Sequence, residues 1–226
     1  MKKPFSIAIA SILALTAPSI AKAQFYITAD IGGVPSVSGA TLENFDEPSP
    51  SILTLSYNAY LVTGGSGGTG VYTAPYFSGS TAAYFGESPA TGYDASQYVA
   101  VEGAGSATLS FSTPQNYLGL LWGSVDLDGV NLLTFYNGNY VIGTVSGTDI
   151  LTLTGDSSRD PGPNGTAYVN ITSTTPFSRV VASATFNSFE FDDVAYAQVA
   201  PVPEPASLSL LAFGMFGITL LRRLRG

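Results

Sequence analysis

Between residues 24 and 200, no stretch of eleven or more residues holds its apolar side chains at a 3.6-residue period. What recurs is a short run of β-branched and aromatic residues, closed each time by Gly, Asn, Pro or Ser. Residues 132–136 (LLTFY), 140–145 (YVIGTV), 167–171 (AYVNI), 180–186 (VVASATF) and 189–196 (FEFDDVAY) have this form. Residues 51–62, 70–77, 107–112 and 116–122 are expected to be further strands. The Asn137-Gly138 pair between two such runs predicts a hairpin with a type I′ turn. Many short strands with no helix to make crossovers predict an all-β fold, an antiparallel β-sandwich or jelly roll.

The two ends of the chain follow other rules. Lys2 and Lys3 precede an apolar run from 5 to 20, and Ala21-Lys22-Ala23 has the A-x-A form of a cleavage site. Residues 1–23 therefore read as a secretory signal peptide handled by the Sec machinery and signal peptidase, with a mature start at Gln24. No cysteine is present to acylate, so a lipoprotein anchor is excluded. At the other end, Val202-Pro203-Glu204-Pro205 is followed by sixteen apolar residues, 206–221, and then by Arg222, Arg223 and Arg225 in the basic tail 222–226. A helix of that length reaches about 24 Å. That is short of a ~30 Å hydrocarbon core unless the arginines snorkel. Basic residues at its inner end leave the body of the protein outside the cytoplasm.

The Pro-Glu-Pro triplet, short span and basic terminus resemble the PEP-CTERM sorting signal, here 201–226. The resemblance implies recognition by an exosortase, transient insertion of the tail in the inner membrane, and delivery to the surface of a Gram-negative-type bacterium. A second segment, 118–126 (LGLLWGSVD), followed by the 132–136 strand and closed by 189–196, resembles a WGS-x-D motif of one family of exosortase-dependent surface proteins. Leu118 stands where that family more often has Phe. This resemblance implies a location and no established activity.

Residues 24–200 are left as one extracytoplasmic domain of 177 residues, long enough for a single core. The composition excludes several kinds of chemistry. With no Cys and no His, no thiolate nucleophile, Ser–His–Asp triad or zinc–thiolate site can be assembled. Only Arg159 and Arg179 oppose fifteen acids in this domain, a net charge of −13, which argues against nucleic-acid binding. Residues 64–70 satisfy both G-x-S-x-G and G-x-G-x-x-G. Neither motif has its context, because no helix follows and no base is available, so the segment reads as a Gly-rich loop.

The acidic balance suits divalent cations held by oxygen ligands. No cofactor is required by the sequence, and calcium is the candidate structural ion. Its candidate ligands are Glu43 and Asp46 near the start of the domain, Asp192 and Asp193 near its end, and Asp126 and Asp128 in a loop that begins like an EF-hand without completing one. Terminal strands often pair in jelly rolls, which would bring the first two groups together. Solvated surface acids are the plainer alternative at each place. Tyr72, Tyr76, Tyr84 and Tyr93 are candidate sugar-stacking rings, with strand packing as their alternative. The sequence therefore predicts a non-enzymatic surface or matrix protein, structural or adhesive in an exopolysaccharide or biofilm. The alternatives are a carbohydrate-binding module, a glycoside-active enzyme working with two carboxylates, and a permanently anchored protein facing the periplasm.

Overall fold

The computed structural model describes residues 23–47, 49–64, 72–127, 130–156, 160–186 and 188–199. The expected signal peptide, apart from Ala23, and the expected sorting tail lie outside them. So do Ala21, Asp128 and most of the Gly-rich segment. Among the described residues no helix is long and apolar enough to cross a membrane.

The domain is built almost wholly of antiparallel strands. In chain order they are β1 Phe25–Asp30, β2 Thr41–Glu43, β3 Leu53–Leu55, β4 Ala59–Thr63, β5 Tyr76–Phe77, β6 Gly92–Tyr93, β7 Gln97–Val101, β8 Ser106–Gly123, β9 Asn131–Asn137, β10 Tyr140–Ser146, β11 Ala167–Ala184 and β12 Phe189–Ala197. Among the described residues two short α-helices, α1 Thr81–Phe85 and α2 Gly147–Thr154, and a 3-10 turn, Pro163–Gly165, interrupt them. Ten strands form one sheet along the path β10-β9-β11-β8-β12-β7-β4, with β1 added to β11, β2 to β12 and β3 to β8. β5 and β6 pair separately.

Two 18-residue strands organise this sheet. β8 and β11 lie side by side, and the register between them shifts near Phe177. Pro114 and Pro176 sit in that region, where each removes a ladder donor and lets its strand bend. On one side of the bend β11 carries β1, and on the other it carries β9. The two halves meet over one apolar core. Phe25 of β1 packs on Phe135 of β9 with centroids 4.8 Å apart, and Phe135 packs edge-on to Phe177 at 5.1 Å. Gly143 of β10 is required there, because an added Cβ would lie 2.2 Å from the Phe25 ring.

Several expectations are corrected by this arrangement. The runs 107–112 and 116–122 are one continuous strand, as are 167–171 and most of 180–186, because a proline can bend an edge-poor strand without ending it. Residues 51–62 divide into β3 and β4 at Asn58, whose φ is +62°. Of the run 70–77 only Tyr76 and Phe77 are in a described strand. Tyr140 pairs with Asn137, so Gly138 and Asn139 are the central turn residues, and only Gly138 has positive φ (+58°). That is the II′ pattern rather than the expected I′. α2 was unforeseen, although Ser146 and Asp149 form a capping box and Gly155 closes the helix in a left-handed conformation.

The sheet is covered differently along its length. In the first half of β8, Ala107, Leu109 and Phe111 are buried while Ser110 and Ser112 are exposed. From Gln115 onward every residue through Gly123 is buried. Leu118, Leu120 and Trp122 belong to the main core, where Trp122 stacks on Phe189 at 4.2 Å. The opposite face is covered by the excursion between β4 and β7. Leu121 and Tyr168 pack there against Phe77, Ala82 and Phe85. Gly119 and Gly123 on that face admit the cover closely. A Cβ at 119 would stand 2.7 Å from the Tyr117 and Tyr168 hydroxyls, and one at 123 would stand 3.0 Å from Pro75.

Candidate functional site: a buried carboxylate cluster

β12 begins by strict alternation. Phe189 and Phe191 enter the main core, so Glu190 and Asp192 take the other face. Asp193 then breaks the alternation. Across β8, Asp192 pairs with Leu121 but Ala195 pairs with Gly119, so β12 carries one extra residue at this point. Asp193, at φ +53°, lies within that bulge. Val194 returns to the core. The bulge therefore leaves two successive aspartates, both fully buried, between the sheet and its cover.

Three other carboxylates act on this pair from two more directions. β2 pairs with the end of β12, with Glu43 opposite Val194, which brings the 43–46 turn alongside. From that turn comes Asp46, and from the cover come Glu87 and Asp94. Asp94 is buried, Glu87 half-buried and Asp46 exposed, so the group runs from solvent to the sheet. Asn44 links the outer two, its Nδ2 donating to Asp46 Oδ2 (3.0 Å) and Glu87 Oε1 (2.6 Å). Asp46 Oδ1 accepts from the Gln97 amide at 3.2 Å. Asp94 Oδ1 accepts from the Ser96 amide (2.7 Å) and from the Ser96 hydroxyl.

The inner oxygens have no such partners. Asp94 Oδ2 and both carboxylate oxygens of Asp192 and Asp193 are buried without a hydrogen bond. Burial, then the neighbouring Asp193 and Asp94, raises the Asp192 carboxyl well above the usual carboxylate range. Burial, then Glu87, Asp94 and Asp46, raises Asp193 likewise. As the side chains stand, no three His, Cys, Asp or Glu residues among those described are in metal-ligating geometry.

The sequence-derived candidates are thus partly united. Asp46, Asp192 and Asp193 come together as the pairing of early and late strands anticipates. Glu43 is nearby but uses Oε1 to accept the Phe45 amide at 3.0 Å. Asp126 is buried elsewhere, its amide bonded to Asn131 Oδ1 at 3.0 Å. It acts on Glu190, which burial pushes up to about 8 against the hydrogen bonds from Ser188 and Thr73. Asn44, Glu87 and Asp94 were missed, for their separations of 43 and 50 residues carry no local signal. The one readable hint is Asp94-Ala95-Ser96, an Asp poised to bond its own backbone two residues on.

The tyrosines separate as well. Tyr72 is half-buried against Tyr98 and Ala100. Tyr84 packs beside Phe85 on α1. Tyr76 meets Tyr93 edge-on at 5.2 Å, and Tyr93, 47% exposed, borders a cleft of about 520 Å³ whose wall also includes Asp94 and Pro161. One of the four rings therefore lines an open cleft; Tyr72 and Tyr76 are half-buried in packing, and Tyr84 is exposed on α1.

Residues 201–225 match the model of the PEP-CTERM protein-sorting motif. No curated protein matches the chain. Among solved structures, the catalytic domain of a GH87 alpha-1,3-glucanase variant in complex with tetrasaccharides is similar at a TM-score of 0.35 and 14% identity. That likeness covers 82% of this chain and 31% of the other, and it carries no argument at this level. The chain carries a PEP-CTERM sorting motif, which implies processing by an exosortase and export to the cell surface.

Proposed function

We propose that this chain is a secreted bacterial surface protein in which a β-sandwich domain is delivered outside the cytoplasm and its C-terminal tail is surrendered to an exosortase. The observation that carries this reading is the sorting motif at 201–225 and its placement. The described domain closes immediately before it. Asn116 Nδ2 donates to the Val199 carbonyl at 2.9 Å, and the Val199 amide donates to Asn116 Oδ1 at 2.7 Å. Gln198 Nε2 donates to the Pro114 carbonyl at 2.6 Å. The chain is thus tied to the bend of β8 two residues ahead of the motif, so the tail can be cut without opening the core. Pro203 and Pro205 disfavour continuation of a helix across the motif.

The signal peptide 1–23 supplies export, and the lysine-free, acidic exterior of the domain suits solubility outside the cell. The role in the matrix is structural or adhesive. A carbohydrate contact is favoured at one place, the Tyr93 cleft, where an exposed ring stands beside a carboxylate. Fractionation of an exosortase-bearing host tests the sorting. The full chain should reach the surface or medium, and a Pro203→Ala/Pro205→Ala variant should stay in the inner membrane. Equal release of both would overturn the reading. Retention on an exopolysaccharide column that Tyr93→Ala abolishes would place the sugar contact; unchanged elution of that variant contradicts it.

A further inference from the structure

We propose that the buried carboxylates of Asp94, Asp192 and Asp193, with Glu87 and Asp46 at the solvent side, form a binding site for one calcium ion that ties β12 and the 43–46 turn to the cover of the sheet. This goes beyond the export reading and does not rest on it.

Two independent observations support the site. The first is convergence: three segments distant in the chain send five carboxylates to one place, and a β-bulge turns a second aspartate toward it. The second is the nature of what is left unpartnered. Among the described residues, seven buried side-chain polar atoms lack a hydrogen bond, and all seven are oxygens. Five of them belong to Asp94, Asp192 and Asp193. A buried acceptor without a donor is costly, and a buried carboxylate without a counter-charge far more so. What they lack is positive charge, supplied either by a proton shared between Asp192 and Asp94 or by a cation shared among the group.

Among the described residues no cationic side chain is placed there. Arg179 is the sole Lys or Arg among the described residues, and its guanidinium lies 4.0 Å over the Tyr136 ring on β9. An ion from solvent answers both the unpaired oxygens and the summed negative charge. Oxygen-only ligands, several carboxylates and the flexible 6–8-fold coordination they permit select calcium over the smaller, strictly octahedral magnesium. As the side chains stand they do not form a metal-ligating group of three, so binding requires them to turn and close on the ion. Entry is open along the gradient from exposed Asp46 to buried Asp192, and Asp94 also borders the 520 Å³ cleft.

The test uses the full chain in detergent, stripped with EGTA and titrated with calcium chloride. Calorimetry should show one calcium per chain, and calcium at about 100 times its Kd should raise the Tm by at least about 5 °C. Asp192→Asn and Asp193→Asn should each abolish that rise. Both should also melt higher than the wild type in EGTA at pH 7, because each removes a carboxyl that must take up a proton to be buried. Should either fail to fold, Asp94→Asn serves the same purpose. Glu47→Gln, an exposed carboxylate outside the cluster, should keep the full response. The proposal is overturned by equal Tm values in EGTA and calcium, by a rise that survives Asp192→Asn and Asp193→Asn, or by an equal rise with magnesium at the same concentration.

Discussion

At Gly119 two phenols stand where a side chain would be. Tyr117 donates to Asn170 Oδ1 at 2.6 Å and receives the Ser36 amide at 3.2 Å, while Tyr168 donates to the Asp193 carbonyl at 3.0 Å. The second bond fixes the backbone of the bulge that presents the paired aspartates. Gly119→Ala therefore forces both rings outward and should cost roughly 1–3 kcal/mol, as overpacking does. Urea unfolding of the full chain measures it, and a loss below about 0.5 kcal/mol would mean the cover yields freely. Tyr168→Phe removes a buried donor and should cost about 1–2 kcal/mol. It should also weaken calcium binding, because the bulge then loses its support. A Tyr168→Phe protein that binds calcium as the wild type does would separate the hydroxyl from the site.

Elements were legible where their chemistry is local. The 189–196 run and the hairpin around Gly138 follow from alternation and turn residues alone. β1 also alternates, with Phe25, Ile27 and Ala29 turned inward, but its run is short and follows directly on the apolar N-terminal run, which masks the signal. α2 was hidden for a different reason. Thr152 and Thr154 dilute its apolar face, and the Ser146–Asp149 capping box is its main local signal. Ser146→Ala should therefore cost about 1 kcal/mol, read as a lower urea midpoint with unchanged slope. The bend of β8 and β11 and the pairing of β2 with β12 depend on partners more than 50 residues away, and no window of sequence contains them. The carboxylate site inherits that difficulty. Asp192-Asp193 invited attention, whereas Glu87 and Asp94 acquire meaning only when the cover folds down.

For the whole molecule, the two ends and the middle divide the work. The C-terminal motif was readable because a sorting signal is recognised by its linear order: prolines, apolar run and charge. The middle is a folded domain whose described part closes at Val199, beside the bend of β8, so removal of the tail should leave its stability unchanged. Thermal unfolding of the tail-less product should match that of the full chain within about 2 °C, the lower end of the shift expected for 1 kcal/mol. Calcium should stabilise both forms equally, since no carboxylate of the cluster lies beyond Asp193. Intact mass spectrometry of the surface or medium form, from an exosortase-bearing host and from its exosortase deletion, tests the central claim most directly. The account predicts a product that begins at Gln24 and has lost the apolar span and arginines beyond Pro203-Glu204-Pro205, and only where the enzyme is present. A chain that begins at Gln24, ends at Gly226 and stays in the inner membrane of both hosts would contradict it.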